Sequence, residues 1–173
     1  FSVAVVLTLA LGIGANAVMF GVVDHLLLSD PAHVVDADRV MRIQVRRASP
    51  FTGEPALMGT MTWIDYQAFL GAGSFESVAT FGDDPLILGR GDDAVRVKAA
   101  FVTASLFPLL GTRPALGRFF DDSEDQPGGP NVVVLSYGLW QSRFGGSPEV
   151  LGRDVPLGEG VYTIVGVAPR GFN

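Results

Sequence analysis

The first 23 residues, Phe1 to Val23, carry no charged side chain. Wound as a helix at about 1.5 Å per residue, such a run spans roughly 34 Å, enough for a bilayer core of about 30 Å. The apolar pattern continues through Leu26 to Leu28, so that 20 of the first 28 residues are apolar. Ser2, Thr8 and Asn16 are tolerable in lipid, because hydroxyls back-bond to the helix and an amide finds a neighbouring helix. The run is read as a transmembrane helix over residues 1–28. Two other readings stay open. A signal peptide would end at a small-x-small site, which Ala15-Asn16-Ala17 supplies, but it has a basic start and a shorter apolar run. A buried helix of a soluble protein would seldom go about six turns without a charge.

Inside this run Ala10, Gly14, Ala17 and Gly21 recur at spacings of 4, 3 and 4, which puts them on one helix face. Small residues on one face let a second helix approach closely in lipid, and this is the expected helix-packing face. Gly12-x-Gly14 is no nucleotide fingerprint, since no strand precedes it.

The rest of the composition mostly excludes. There are 12 Lys and Arg against 18 Asp and Glu, a net charge of −6, two His and no Cys. An acidic chain is a poor match for phosphate backbones, so no nucleic-acid partner is expected. Without Cys there is no disulfide framework, thiol nucleophile or Cys-based zinc site. No Lys or Arg precedes Arg39, whereas Asp24, Asp30, Asp36 and Asp38 follow the helix. The flanks do not fix the orientation of the helix; the absence of nearby cations only weakly favours a non-cytoplasmic location for what comes next.

After Leu28 the pattern breaks into short segments. Ser29-Asp30-Pro31 stops the helix. Val40 to Arg46 alternates, with Met41, Ile43 and Val45 on one face and Arg42, Gln44 and Arg46 on the other, as a half-buried strand does. Pro50 to Gly59 reads as a loop. Thr62 caps an expected helix from Trp63 to Leu70. Phe75–Phe81 and Pro85–Leu88 read as strands joined by Gly82-Asp83-Asp84, and Ala94–Ala99 as a further strand. Thr103–Leu110 suggests a short helix closed by Gly111. Asn131–Leu135, with its Val run, suggests a strand covered on both faces. Ser136 caps a helix through Phe144, stopped by Gly145-Gly146. Val155–Leu157 and Val161–Val167 form a hairpin about Gly158-Glu159-Gly160. Strands and short helices without long crossovers indicate an α+β fold with a mixed sheet.

The chain resembles the MacB/FtsX-type ABC transporter permeases, and more narrowly their orphan MacB-like group. The resemblance begins in Leu9-Ala10-Leu11-Gly12-Ile13-Gly14-Ala15-Asn16. It continues through Pro31-Ala32-His33-Val34, Asp38-Arg39-Val40, Asp65-Tyr66 and Phe75-Glu76-Ser77-Val78-Ala79. It is strongest from Phe107 to Arg118, and persists in Val134–Gln141, Arg143–Gly146, Leu151–Arg153 and Tyr162–Pro169. The resemblance implies a first transmembrane helix followed by a periplasmic core domain from residue 29 to 173, cut short on its C-terminal side. It further implies the bacterial inner membrane, lipid contact, a separate ABC ATPase subunit and a permease homodimer or heterodimer. It implies no cofactor and no catalytic residue.

Other candidate chemistry is thin. His33, Asp36 and Asp38 could be imagined as a metal cluster, and His33 with Asp36 at i, i+3 would share a helical face, but Pro31 and the poor periodicity argue for a loop and no third strong ligand is evident. Asp121-Asp122-Ser123-Glu124-Asp125 lacks the Gly and distal Glu of a calcium loop and reads as a solvated turn. Gly128-Gly129 and Gly145-Gly146 have no Lys-Ser or Lys-Thr after them, so the chain is not expected to be the ATPase. Ser136 stands outside a nucleophile elbow, with only His25 or His33 as a base. Trp63, Tyr66 and Phe69, and Tyr137, Trp140 and Phe144, are expected to be core or interface aromatics. Arg42 and Arg46 are expected on a solvated strand face.

Overall fold

A computed structural model describes residues 2–24, 33–49, 52–59 and 61–172. Residues 25–32, and with them His25, Leu26 to Leu28 and the Ser29-Asp30-Pro31 stop, lie outside the described residues. The chain divides into two units, one up to residue 31 and one from residue 32 onward.

The first unit is helix α1, Ser2–Val23. Its span Val3–Val23 is long and apolar enough to cross a membrane. Val3, Leu7, Leu11, Met19 and Phe20 are all exposed, so no polar face separates from an apolar one.

The second unit is mixed α+β, and the densest part of it lies toward its C-terminus. Strand β6 (Val132–Leu135) leads through helix α4 (Tyr137–Phe144) to the hairpin of β7 (Asp154–Leu157) and β8 (Gly160–Val167). Within it β6 runs parallel to β8, and β7 antiparallel to it. Ser136 stays extended, and its Oγ accepts from the Leu139 amide at 3.3 Å, satisfying one of the free N–H groups of the first turn. Gly145, in the left-handed region at φ 62°, ends α4 as expected. Leu135, Val150, Val155, Leu157, Ile164 and Val167 are buried together, with Tyr137, Trp140 and Phe144 packed against them. Burial of each large aliphatic side chain is worth about 1.5–3 kcal/mol. Trp140 also donates its indole N–H to the Ser147 carbonyl at 2.9 Å.

Three further strands join this sheet, giving the order β4-β3-β7-β8-β5 with β6 on β8. Strand β3 is Phe81–Leu88 and β4 is Val95–Val102, paired antiparallel along their whole lengths. Among the described residues the β3–β7 ladder is the one register pair Leu88 opposite Leu157, flanked by the Gly89 amide donating to the Pro156 carbonyl and the Gly158 amide donating to the Ile87 carbonyl. The expected turn at Gly82-Asp83-Asp84 is therefore strand, and Phe75–Thr80 is not. A ribbon open to solvent tolerates Gly, Asp and Pro85 where a central strand would not. Two-residue β5 (Leu116–Gly117), opposite Val167 and Gly166, carried no sequence signal.

A second, two-stranded sheet pairs β1 (Val45–Ala48) with β2 (Pro55–Met58). The strand expected at Val40–Arg46 is thus displaced toward the C-terminus, and Pro55–Met58 of the expected loop is its partner. Alternation marks a face, but a ladder exists only where a neighbour lies opposite, from Val45 onward. Helix α2 (Trp63–Gly71) begins as expected, at a capping box between Thr62 and Asp65. Helix α3 (Leu106–Leu110) is shorter than expected, because the Thr103 amide and hydroxyl are taken up by the backbone of Thr80. Gly111 ends α3 at φ 66°, and a Cβ there would sit 2.7 Å from the Val35 Cβ.

Candidate functional site

The second unit carries an open groove of about 1170 Å³. One wall is the lead-in segment from Val35 to Ile43. The start of α2, the extended stretch from Ser74 to Gly82, Phe101 of β4 and helix α3 complete it. Its lining is chiefly apolar, and several members are open to solvent: Met41, Trp63, Phe81 and Phe101 are all more than half exposed. Tyr66, Val78 and Phe107 nearby are buried and give the walls their footing. Phe107 stacks on Phe119 with ring centroids 3.9 Å apart.

Three groups fix the groove's polar character. Arg39 pairs with Glu76 at 2.5 Å across the opening. Asp36 sits in a turn at φ 55°, beside Val35, whose amide donates to Leu110. Arg42 lies with its guanidinium carbon 5.7 Å from the centre of the Phe81 ring. Among the described residues Arg42 has no hydrogen bond and no ion pair. A guanidinium over an aromatic face keeps its five N–H donors at the edges, available to a planar anion.

The floor near α2 is held by a small charge network. The Asp65 carboxylate accepts from the Thr62 amide at 2.8 Å and the Thr62 hydroxyl at 2.7 Å. Arg47 of β1 binds the same carboxylate, joining the two-stranded sheet to α2. The Thr62 donors first, and Arg47 after them, hold the Asp65 pKa below the usual carboxylate value.

The residues singled out from the sequence fall elsewhere, with few exceptions. His33, at φ 68°, turns its ring against Phe172, and no three potential metal-ligating groups gather among the described residues. In the acidic loop Glu124 takes both guanidinium nitrogens of Arg118, Asp121 accepts from Ser123, and Asp125 accepts from the Ala104 amide. Glu124 and Asp121 brace the loop locally, and Asp125 ties it to the segment that leads into α3. Ser136 is a helix cap. Tyr137, Trp140 and Phe144 cover the core, whereas the other aromatic set divides: Tyr66 is buried, Phe69 meets Phe75 edge-on, and Trp63 opens to the groove. Ala10, Gly14, Ala17 and Gly21 lie along one side of the unbroken helix α1, and a Cβ at Gly14 or Gly21 would meet nothing within 4 Å. The groove itself was missed. Its only sequence signal was the large side chains of Phe81 and Phe101 at the ends of a ribbon rich in Gly and Asp.

Comparison with known proteins is consistent across sequence and fold. The family model of the MacB-like periplasmic core domain matches residues 2–173. The crystal structure of the periplasmic region of MacB from Actinobacillus actinomycetemcomitans is similar at TM-score 0.51 and 22% identity, over 61% of this chain and 49% of that one. The extracellular domain of the noncanonic ABC-type transporter YknZ from Gram-positive bacteria is similar at TM-score 0.55 and 18% identity, over 64% of this chain and 58% of that one. The chain therefore spans about half the length of these solved relatives. No curated protein matches it.

Proposed function

Because the chain belongs to the family of MacB-like periplasmic core domains, we propose that it is the membrane anchor and the opening part of the extracytoplasmic domain of an ABC-type permease. The observation that carries this reading is the extent of the match. One family model runs from residue 2 through the apolar helix α1 and on to the end of the mixed sheet. Helix and domain thus belong to one inherited unit. In this reading α1 crosses the bacterial inner membrane, and the residues after about 28 stand on its extracytoplasmic side.

The chain's part is mechanical and not catalytic. A separate ABC ATPase subunit supplies the driving reaction, and two permease chains, alike or different, form the moving body. ATP-driven closure biases the packing of membrane helices, and a bistable packing passes that bias to the domain beyond. Ala10, Gly14, Ala17 and Gly21 give α1 the face on which a second helix can seat closely.

The test uses the full-length permease in membranes with its ATPase. Gly14→Leu together with Gly21→Leu is expected to reduce co-purification of the ATPase, or its stimulated turnover, by about tenfold, the effect of losing roughly 1.4 kcal/mol of packing. Unchanged assembly and turnover would remove the helix face from the account. A wild-type protein that neither retains nor stimulates an ATPase would instead be an anchored binding or scaffolding domain that transports nothing.

A further inference from the structure

We propose that the groove beside α2 and α3 is a slot for one more β-strand, an extended segment of the same permease chain that follows residue 173 and bonds to both walls. The proposal rests on the reading that residues 29–173 open a longer extracytoplasmic domain.

The first wall is Met41 to Ile43. Its alternation is that of a strand, and it leads into β1. Among the described residues, though, its backbone makes no hydrogen bond. The second wall is Ser77 to Thr80, which leads into β3. Every second residue here is already bonded toward the β4 side. The Val78 carbonyl accepts from the Ser105 hydroxyl at 2.8 Å, and the Thr80 carbonyl from the Thr103 amide at 3.0 Å. Ser77 and Ala79, between them, have no backbone hydrogen bond among the described residues. A strand bonded to one neighbour turns its alternate N–H and C=O groups to its other edge. Ser77 to Thr80 is thus a strand with one edge taken and one edge free. The free edge continues along β3 until its end, where Ile87 accepts from the Gly158 amide and Leu88 lies opposite Leu157. Arg39 and Glu76 tie the two walls together at one end. Neither sequence pattern announces a groove, but the structure sets both in the walls of one.

Chemistry then selects the occupant. Free N–H and C=O groups at strand spacing are matched by another extended backbone, which carries donors and acceptors in the same alternation. A lipid tail or an apolar small molecule would cover those groups without bonding them, at the full desolvation cost of each. Among polypeptides, a later segment of the same chain has the advantage of effective concentration. The solved relatives leave room for it. This chain matches 49% and 58% of their lengths, so about half of such a domain is built from other residues.

The experiment is hydrogen exchange and photo-cross-linking on the full-length permease in nanodiscs. The amides of Met41 to Ile43, Ser77 and Ala79 are expected to exchange at least about tenfold more slowly than those of an unstructured chain. With Met41 replaced by photoreactive benzoylphenylalanine, illumination is expected to join it to a peptide that follows residue 173 of the same molecule. If those amides exchange at the unstructured rate while β8 amides stay protected, no strand occupies the groove and the proposal is overturned. If they are protected but Met41 joins a separate polypeptide, or none, the assignment to the same chain is overturned. Neither readout involves an ATPase, so failure to retain one would count against the permease reading and leave this result standing.

Discussion

The two ends of the extracytoplasmic unit use apolar residues in opposite ways. Between Leu135 and Val167, Val150, Ile164 and Val167 are essentially fully buried, and α4 is anchored over them by Trp140. Among the described residues between Met41 and Phe101, only Tyr66, Val78 and Leu88 are buried among the large side chains, while Met41, Leu57, Trp63, Ile64, Phe81 and Phe101 stand exposed. The first region is organised as a scaffold. The second presents apolar surface that a partner or ligand can cover, on elements held by ribbon pairing, one capping box and a few ion pairs. The difference teaches where to look for function: dense burial is at one end and exposed apolar surface at the other.

The largest expected effect breaks the comparison if it fails. Ile164→Ala removes a side chain with no exposed surface, at the point where β6, β7 and β8 meet. It should cost about 2–5 kcal/mol through lost transfer energy and the cavity left behind. Ile64→Ala, at a side chain 78% exposed on α2, should cost less than about 0.5 kcal/mol. Denaturant unfolding of both variants checks this. Equal losses would mean that α2 is as deeply packed as β8.

A somewhat smaller contrast comes from two strand glycines. A Cβ on Gly166 would lie 2.0 Å from the Arg118 carbonyl oxygen, which is backbone and cannot swing aside. Gly166→Ala should therefore cost about 1–3 kcal/mol or more by overpacking. Gly82 in the β3 ribbon has nothing within 4 Å of such a Cβ, and Gly82→Ala should shift the unfolding midpoint little in either direction. A large loss at Gly82 would show that the ribbon carries a neighbour in solution.

The same division explains what could be read before the structure. Ser136, the Val132–Val134 run and Gly145 are local signals, a cap, a covered strand and a left-handed stop, and each acts within a few residues of itself. Where local rules decide, as in α4 and the β7–β8 hairpin, the expectations held. β2 and the unbroken β3 depend on which segment lies opposite. Pro55–Met58 became a strand because Val45–Ala48 faces it, and Gly82-Asp83-Asp84 was drawn into an eight-residue ladder with β4. Propensity is weakest in such a solvated ribbon, where no buried face fixes the register. The groove was illegible for a related reason. It exists because large side chains are not buried, and a sequence pattern gives their type but not their exposure. Arg42 looked like any polar-face residue until its neighbours were found to be already paired.

The smallest expected effect sharpens the contrast by pH. The Asp65 pKa is lowered by Thr62 and then by Arg47, and those of Glu124 and Asp121 by Arg118 and Ser123 respectively. A carboxyl group that holds its proton less tightly when folded stabilises the fold above its unfolded pKa. That contribution is lost as pH falls through the folded value. With ordinary values of about 3.9 for Asp and 4.3 for Glu, it is complete above about pH 5 and drains away below about pH 4. The core around Ile164 is made of aliphatic and aromatic side chains and contains no such ion pair. Acid should therefore loosen α2 before β8. Hydrogen exchange of α2 amides, taken as a ratio to β8 amides at each pH so that intrinsic rates cancel, should rise between pH 5 and pH 3. Thr62→Ala removes the hydroxyl that acts most strongly on Asp65, so it should raise that ratio already at neutral pH and flatten its acid response. A ratio that stays constant in wild type would mean that both regions open together, and the division into scaffold and contact surface would then be one of exposure without one of stability.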